Sequence, residues 1–221
     1  MKRYFLLAIV YLFASGVWGY WFYNNFQVAP TQQILTEVVS PLPLPKEVSS
    51  APEIPSYRGD DIENIGNDLI IAQVPADYLA RYKKELADLK KFLSIDPING
   101  DKWLRVAELK KFFNNYYGAR DVLEHLVLIS PANPIPNFNL GGLYAGYLKN
   151  NAKAELNYKE AVRKEKKLPY IYLGLADFYS VFYKEKSNLA EAVLLEGLKN
   201  NPGDEALQQA LDIYKASQVK P

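Results

Sequence analysis

The sequence predicts an all-α body of stacked helical hairpins, and three observations predict it. Apolar residues recur at spacings of three and four over long stretches, the period of a helix with one buried face. Prolines that read as helix boundaries return at a near-constant interval. Small residues fall at matching places within each interval. Ahead of this body, the 221-residue chain carries an uncharged run and a proline-rich segment.

The uncharged run extends from Tyr4 to Tyr23, behind Lys2 and Arg3. A helix of about 20 residues spans roughly 30 Å, the thickness of a bilayer's hydrocarbon core. Trp18, Tyr20, Trp21 and Tyr23 add aromatics of the kind that settle at a membrane–water interface. The next charged residue is Glu37, so the positive charge lies on the N-terminal side. The expected organisation is a cytoplasmic stub (1–3), a transmembrane signal-anchor (4–24) and an extracytoplasmic remainder at the cell membrane. A second reading makes the run a cleaved signal peptide, with Ala14-Ser15-Gly16 at the cleavage site and a secreted body.

From Gln27 to about Ser56 the composition shifts. Pro30, Pro41, Pro43, Pro45, Pro52 and Pro55 sit among Thr, Ser, Val and Glu. Fixed φ and missing amide protons favour extended, solvated backbone, which suits a spacer. The expected boundaries are a proline-rich linker and irregular segment over 25–75 and a helical domain over 76–218. Within the irregular part, Arg58-Gly59-Asp60 spells an adhesion tripeptide too short to carry weight. Asp61, Glu63 and Gly66 fail as a calcium loop, because Ile65 and Ala72 stand where oxygen ligands belong. Leu69 to Ala72 is expected to pack on the first helix or to form a short strand.

That first helix is predicted from Tyr78, Leu79, Tyr82, Leu86, Leu89, Phe92 and Leu93, and it ends at Asp96-Pro97. Ser130-Pro131, Leu168-Pro169 and Asn201-Pro202 continue the series, with the prolines 34, 38 and 33 residues apart. Leu207, Ala210, Leu211 and Tyr214 mark a terminal capping helix over 204–218.

Inside these periods the residues resemble the tetratricopeptide repeat (TPR) family, whose pattern runs W-x2-L-G-x2-Y, A-x3-F, then proline. The first period (about 101–133) offers Trp103, Val106 and Ala107, then Ala119, Leu123, Leu126 and Pro131. Lys110 stands in place of its aromatic, with Leu109 and Phe112 expected to fill the space. The second (134–168) offers Leu140, Gly141, Tyr144, Ala154, Tyr158 and Ala161, with Asn137 at the tryptophan place. The third (169–202) offers Tyr172, Leu175, Ala176, Tyr179, Ala190, Leu194 and Gly197, with about two extra residues around Glu185 to Asn188. The resemblance implies a right-handed α-solenoid of TPR-like hairpins.

No catalytic constellation is visible. The chain lacks cysteine, has one histidine, and shows no phosphate loop, nucleophile elbow or HExxH. No enzyme activity, cofactor or metal is expected. His125 reads as a packing or surface residue, and Gly141, Gly142 and Gly146 as sites of close helix packing. Arg163, Lys164, Lys166 and Lys167 read as a solvated helix end. A net charge of +1 gives no field for nucleic acid.

What the resemblance implies is a binding groove lined by the first helix of each hairpin. By register its residues are Leu104, Glu108, Lys111 and Phe112, then Phe138, Gly142, Ala145 and Gly146, then Tyr170, Leu173, Asp177 and Val181. The family's clamp for a terminal carboxylate is not expected, since Leu104 and Glu108 occupy its first positions. The functional expectation is a membrane-anchored, exported scaffold binding a protein or peptide partner in an apolar, aromatic groove. The alternative is a self-associating component of a cell-envelope, secretion or appendage assembly, a homo-oligomer.

Overall fold

Asparagine and proline punctuation divides the body into helices at the expected places. The computed structural model describes residues 54–66 and 68–218, so the membrane-anchor and most of the linker expectations lie outside the described residues. Among the described residues the protein is all-helical, with eight α-helices and no strand. In chain order these are α1 (Ala76–Ile95), α2 (Gly100–Phe112), α3 (Tyr116–Ile129), α4 (Ile135–Gly146), α5 (Asn151–Lys164), α6 (Pro169–Asp177), α7 (Leu189–Asn200) and α8 (Glu205–Gln218). Asn99, Asn115 and Asn150 cap α2, α3 and α5, each side chain accepting a hydrogen bond from a first-turn amide. The turns into α3 and α5 share a second device, a left-handed residue just before the cap: Asn114 at φ 60° and Lys149 at φ 52°.

The four prolines do not all do the same work. Pro97, Pro131 and Pro202 directly follow the non-helical C-caps Asp96, Ser130 and Asn201. Pro169 instead opens α6, while α5 has already ended at Lys164. A missing amide proton is harmless at a helix's first residue, where no intrahelical acceptor exists. The long interval of 38 residues therefore ends on a helix start, whereas its neighbours end on helix stops.

Each helix packs against the next in sequence, with α2–α3, α4–α5 and α6–α7 as the paired hairpins and α8 closing on α7 and α6. Glycines set the closest approaches. A Cβ on Gly141 would stand 2.7 Å from the Tyr158 ring, one on Gly174 2.5 Å from Phe138, and one on Gly197 2.9 Å from Tyr172. Ala107, Ala119, Ala154, Ala176 and Ala190 are buried at the equivalent crossings. Around them Leu86, Leu126, Ile171, Tyr172, Phe178 and Leu207 are fully buried, each contributing about 1.5–3 kcal/mol of apolar burial. The extra length of the third hairpin is taken up at the end of α6. The helix widens into a π-helical turn, Phe178–Phe182, and a 3-10 turn, Lys184–Lys186, follows. Glu155 of α5 fastens this insertion, accepting from Tyr179 and Lys186 as well as from Lys159. Burial would raise its carboxyl, but those three donors hold it down at about 2.

Two expectations for residues 54–75 and α2 need correction. Leu69 to Ala72 forms no strand; Leu69 is exposed, and a 3-10 turn over Ile71–Gln73 lets Ile71 and Val74 touch the core. The aromatic place at Lys110 is not refilled by Phe112, which is 51% exposed. Lys110 itself is fully buried. Its three N–H groups go to Asp60 Oδ2 at 2.8 Å, the Asp61 carbonyl at 2.7 Å and the Asn64 carbonyl at 2.8 Å. Residues 57–65, assigned above to the irregular segment, are thus docked on the first hairpin and lie in the same compact unit, which runs from Ser50.

The docking is specific. Asn115 donates to both Asp60 and the Asn64 carbonyl, the Asp60 amide donates to Asp121, and Ile62 and Ile65 are buried. Gly118 must lack a side chain, since a Cβ there would meet Asp60 Oδ2 at 2.6 Å. Tyr57 packs against Trp103 and His125, with ring centroids 4.8 and 5.3 Å away. The Asp60 carboxylate of the adhesion-like tripeptide is therefore committed internally.

Two predictions follow from this packing. Gly141→Ala will destabilise the fold through the Tyr158 contact, whereas Gly146→Ala, whose Cβ would meet nothing within 4 Å, will stabilise it by about 0.5 kcal/mol in urea melts. Asp60→Asn will cost about 2–3 kcal/mol at neutral pH by leaving the buried Lys110 ammonium without its counter-charge. Burial tends to raise the Asp60 carboxyl, but bonds from Lys110, Asn64 and Asn115 prevail and hold it below its ordinary value. Its stabilising effect is complete above the unfolded carboxylate value of about 3.9 and is lost as pH falls through the lower folded value. The gap between wild type and Asp60→Asn should therefore close below about pH 4.

Candidate functional site

The residues expected to line a groove come from α2, α4 and α6, with Val181 in the π-helical turn that follows α6, and most of them reach solvent. Glu108, Lys111, Phe112, Asp177 and Val181 are exposed, and Leu104, Phe138, Gly142, Gly146, Tyr170 and Leu173 are half-buried. Ala145 is the exception: it is 3% exposed, points into the packing and lines no surface. Gly142 and Gly146 do not both serve close packing either. A Cβ on Gly142 would lie 3.4 Å from the Tyr158 hydroxyl, while Gly146 has open space in front of it.

Ring contacts link the successive first helices. Tyr82 of α1 meets Phe112 of α2 at 5.5 Å, and Phe138 of α4 meets Tyr170 of α6 edge-on at 5.1 Å. Lys111 lies 5.9 Å from the ring of Tyr147, which stacks at 4.3 Å on Tyr116. Tyr82, Tyr116, Tyr147 and Tyr158 were not among the expected lining residues. Tyr147 follows the last residue of α4 and Tyr116 opens α3, so a register drawn from helix positions passes over both. Tyr158 belongs to α5, yet its ring reaches between Gly141 and Gly174 toward the first helices.

Two charged side chains define the electrostatics of this strip. Glu108 is engaged by Arg105, which also pairs with Glu85 of α1. Lys111 and Asp177 have no ion-pair or hydrogen-bond partner among the described residues. Desolvation lowers the Lys111 ammonium despite an opposing pull from Glu108, and desolvation alone raises the Asp177 carboxyl. Both side chains nevertheless contact solvent. Tyr170, half-buried beside Phe138, is likewise raised first by desolvation and then by Glu165. The Tyr158 hydroxyl makes no hydrogen bond among the described residues and is raised by burial, then by the charge of Asp177.

Other candidates resolve into packing. His125 is buried in contact with Tyr57 and Trp103, and burial lowers its pKa. The basic residues at the end of α5 are more than a solvated helix end: Lys164 donates to Asn137 Oδ1 at 2.6 Å, and Lys167 to the Asn200 carbonyl at 2.7 Å. Asn137, buried at the tryptophan place, completes its bonding through Asn157. Two hollows flank the first hairpin, one of about 510 Å³ between α1 and α2 along Arg81, Glu85 and Arg105, and one of about 400 Å³ beside Tyr57, Trp103 and His125. Neither contains an expected groove residue. No group of three or more His, Asp or Glu side chains among the described residues is placed to hold a metal ion.

An unpaired, desolvated carboxylate weakens a fold, which makes Asp177 testable. Its folded pKa lies above the unfolded one, so its charge opposes folding at neutral pH, and the opposition fades as pH falls and the group protonates. Asp177→Asn should raise the unfolding free energy measured in urea melts at pH 7 by under about 1 kcal/mol given its solvent contact, with the gain shrinking below about pH 4. No family model matches this chain, and no curated protein is significantly similar to it.

Proposed function

We propose that this protein is a non-enzymatic scaffold whose helical hairpins form a right-handed TPR-like solenoid and bind a protein or peptide along the first helices. The observation that carries the reading is the strip of solvent-reaching Phe112, Phe138, Tyr170 and Val181, with Lys111 and Asp177 exposed in it and without an ion-pair partner among the described residues. Apolar surface and unneutralised charge both weaken the isolated fold, and both are relieved when a partner covers them. At Gly146 an added Cβ would meet nothing within 4 Å, so a partner side chain has room there.

The placement of the scaffold rests on sequence. The uncharged run from Tyr4 to Tyr23 behind Lys2 and Arg3 supports a single-pass anchor with the body outside the membrane, and the prolines support a spacer. Among the described residues no helix is long and apolar enough to cross a membrane. Residues 57–65 are docked on the first hairpin and so do not serve as spacer.

Photo-crosslinking in cells tests the proposal. Probes at Phe112 and Val181 should capture one common partner, and Gly146→Trp should abolish that capture. A probe at Leu156, 68% exposed on α5, should not reproduce it. Capture from Leu156 alone would overturn the reading, and capture of a second copy at all three sites would favour self-association.

A further inference from the structure

The hollow of about 400 Å³ beside the first hairpin has an aromatic floor. Tyr57 meets Trp103 at 4.8 Å and His125 at 5.3 Å, and Trp103 meets His125 at 4.7 Å between ring centroids. Ile62, Leu93 and Pro97 add aliphatic wall, and the exposed Ile54 and Pro55 bring non-helical chain to its rim. None of the expected groove residues lines it, so the hollow is a separate place from the first-helix strip.

Most hydrogen-bond donors around the hollow are already engaged. The Trp103 indole N–H donates to the Pro97 carbonyl at 2.8 Å, the Tyr57 hydroxyl to the Asp60 carbonyl at 2.8 Å, and the Ser94 hydroxyl to the Lys91 carbonyl at 2.7 Å. Lys90 pairs with Asp61 and Glu63, and Ser56 stands at the exposed rim. His125 is the exception on the floor. It is only 5% exposed, yet its ring makes no hydrogen bond among the described residues. No buried side-chain nitrogen there is both sealed from water and without a partner, so the imidazole nitrogens open onto the hollow that the residue lines. Burial lowers the imidazole pKa, which leaves the ring uncharged at neutral pH with one N–H to donate.

An occupant of this hollow has to be apolar, lie against ring faces and supply an acceptor for the imidazole N–H. An ordinary peptide strand would bring a backbone N–H at each residue, for which the aliphatic walls offer no acceptor. Proline brings none: its ring is apolar, its φ is fixed beforehand and its carbonyl accepts. Pro55 and Pro97 already line the hollow beside the aromatic cluster. We propose that the hollow binds a proline-rich, extended segment of a partner protein. A prolyl ring lies on Tyr57 and Trp103, and the neighbouring carbonyl accepts from the His125 imidazole. Aromatic-lined grooves suit such segments because little conformational freedom is left to lose on binding.

The chain has one histidine, which makes the test direct. The full chain in lipid nanodiscs, isotopically labelled only at histidine, gives one imidazole ring to follow by NMR. An oligoproline peptide with blocked ends should shift its resonances saturably, and a glycine–serine peptide of equal length should not. His125→Phe keeps a ring in the cluster and removes both nitrogens. Read with a fluorescent oligoproline, it should weaken binding about fivefold, the worth of one hydrogen bond, and melt near the wild-type temperature. Ser94→Trp, at an exposed position of the mouth, should fill the hollow and abolish the peptide-induced shift. Gly146→Trp should leave binding unchanged, because the first-helix strip is elsewhere. No shift, equal shifts from both peptides, or undiminished binding by His125→Phe would overturn the proposal. Binding kept by Ser94→Trp and lost in Gly146→Trp would overturn it and move the peptide to the strip. A shift seen only after residues 41–49 are deleted would assign the hollow to the chain's own prolines and overturn the partner.

Discussion

A buried ammonium governs the N-terminal end of this fold. Lys110 is enclosed on α2 with three donors, and water reaches none of them. A charge in that position is tolerable only with a counter-ion and a full set of acceptors. Asp60 supplies the first, and the Asp61 and Asn64 carbonyls complete the second. Because the acceptors include backbone carbonyls, the whole path of residues 60–64 is dictated, beyond the presence of one aspartate. Gly118 then has to be bare for Asp60 to approach, and Asn115 is held in place to cap α3. A stretch without helical period becomes a capping element of the first hairpin, with Ile62 and Ile65 buried in the core.

Farther along the chain, helix contact within and between hairpins is decided by pairs of a large ring and a missing side chain. Tyr158 fills the space left by Gly141, Phe138 that left by Gly174, and Tyr172 that left by Gly197. These pairs fix the spacing of the helices, and with it the place where Tyr158 directs its hydroxyl. Packing and site chemistry therefore share residues: one tyrosine is both a wedge between helices and a polar atom beside the candidate groove. Gly146 stands outside this system, with nothing opposite it. Helix packing gives it no role, which is the physical ground for treating it as surface.

Much of the body was legible from local rules. The expected hairpins fall within the periods drawn from the prolines, and Ala107, Ala119, Ala154, Ala176 and Ala190 are buried as their spacing implies. The errors share one cause. Pro169 reads as a helix stop because its sequence neighbourhood resembles the others, yet whether a proline closes one helix or opens the next depends on where α5 runs out of packing partners. Lys110 reads as a defect in an aromatic pattern because its partners lie about fifty residues away. The candidate site was legible to the extent that register is periodic; Tyr147, Tyr116 and Tyr158 escaped because they approach it from turns and from a second helix.

The sequence by itself determined the all-helical class and the small-residue positions, because each depends on the conformational preferences of a residue and its near neighbours. Only the tertiary structure decided that residues 57–65 dock, that Lys110 is buried and satisfied, and that Ala145 is core. Those outcomes depend on which groups distant in the chain meet, and on how much water they lose when they do. Periodicity carries no information about either.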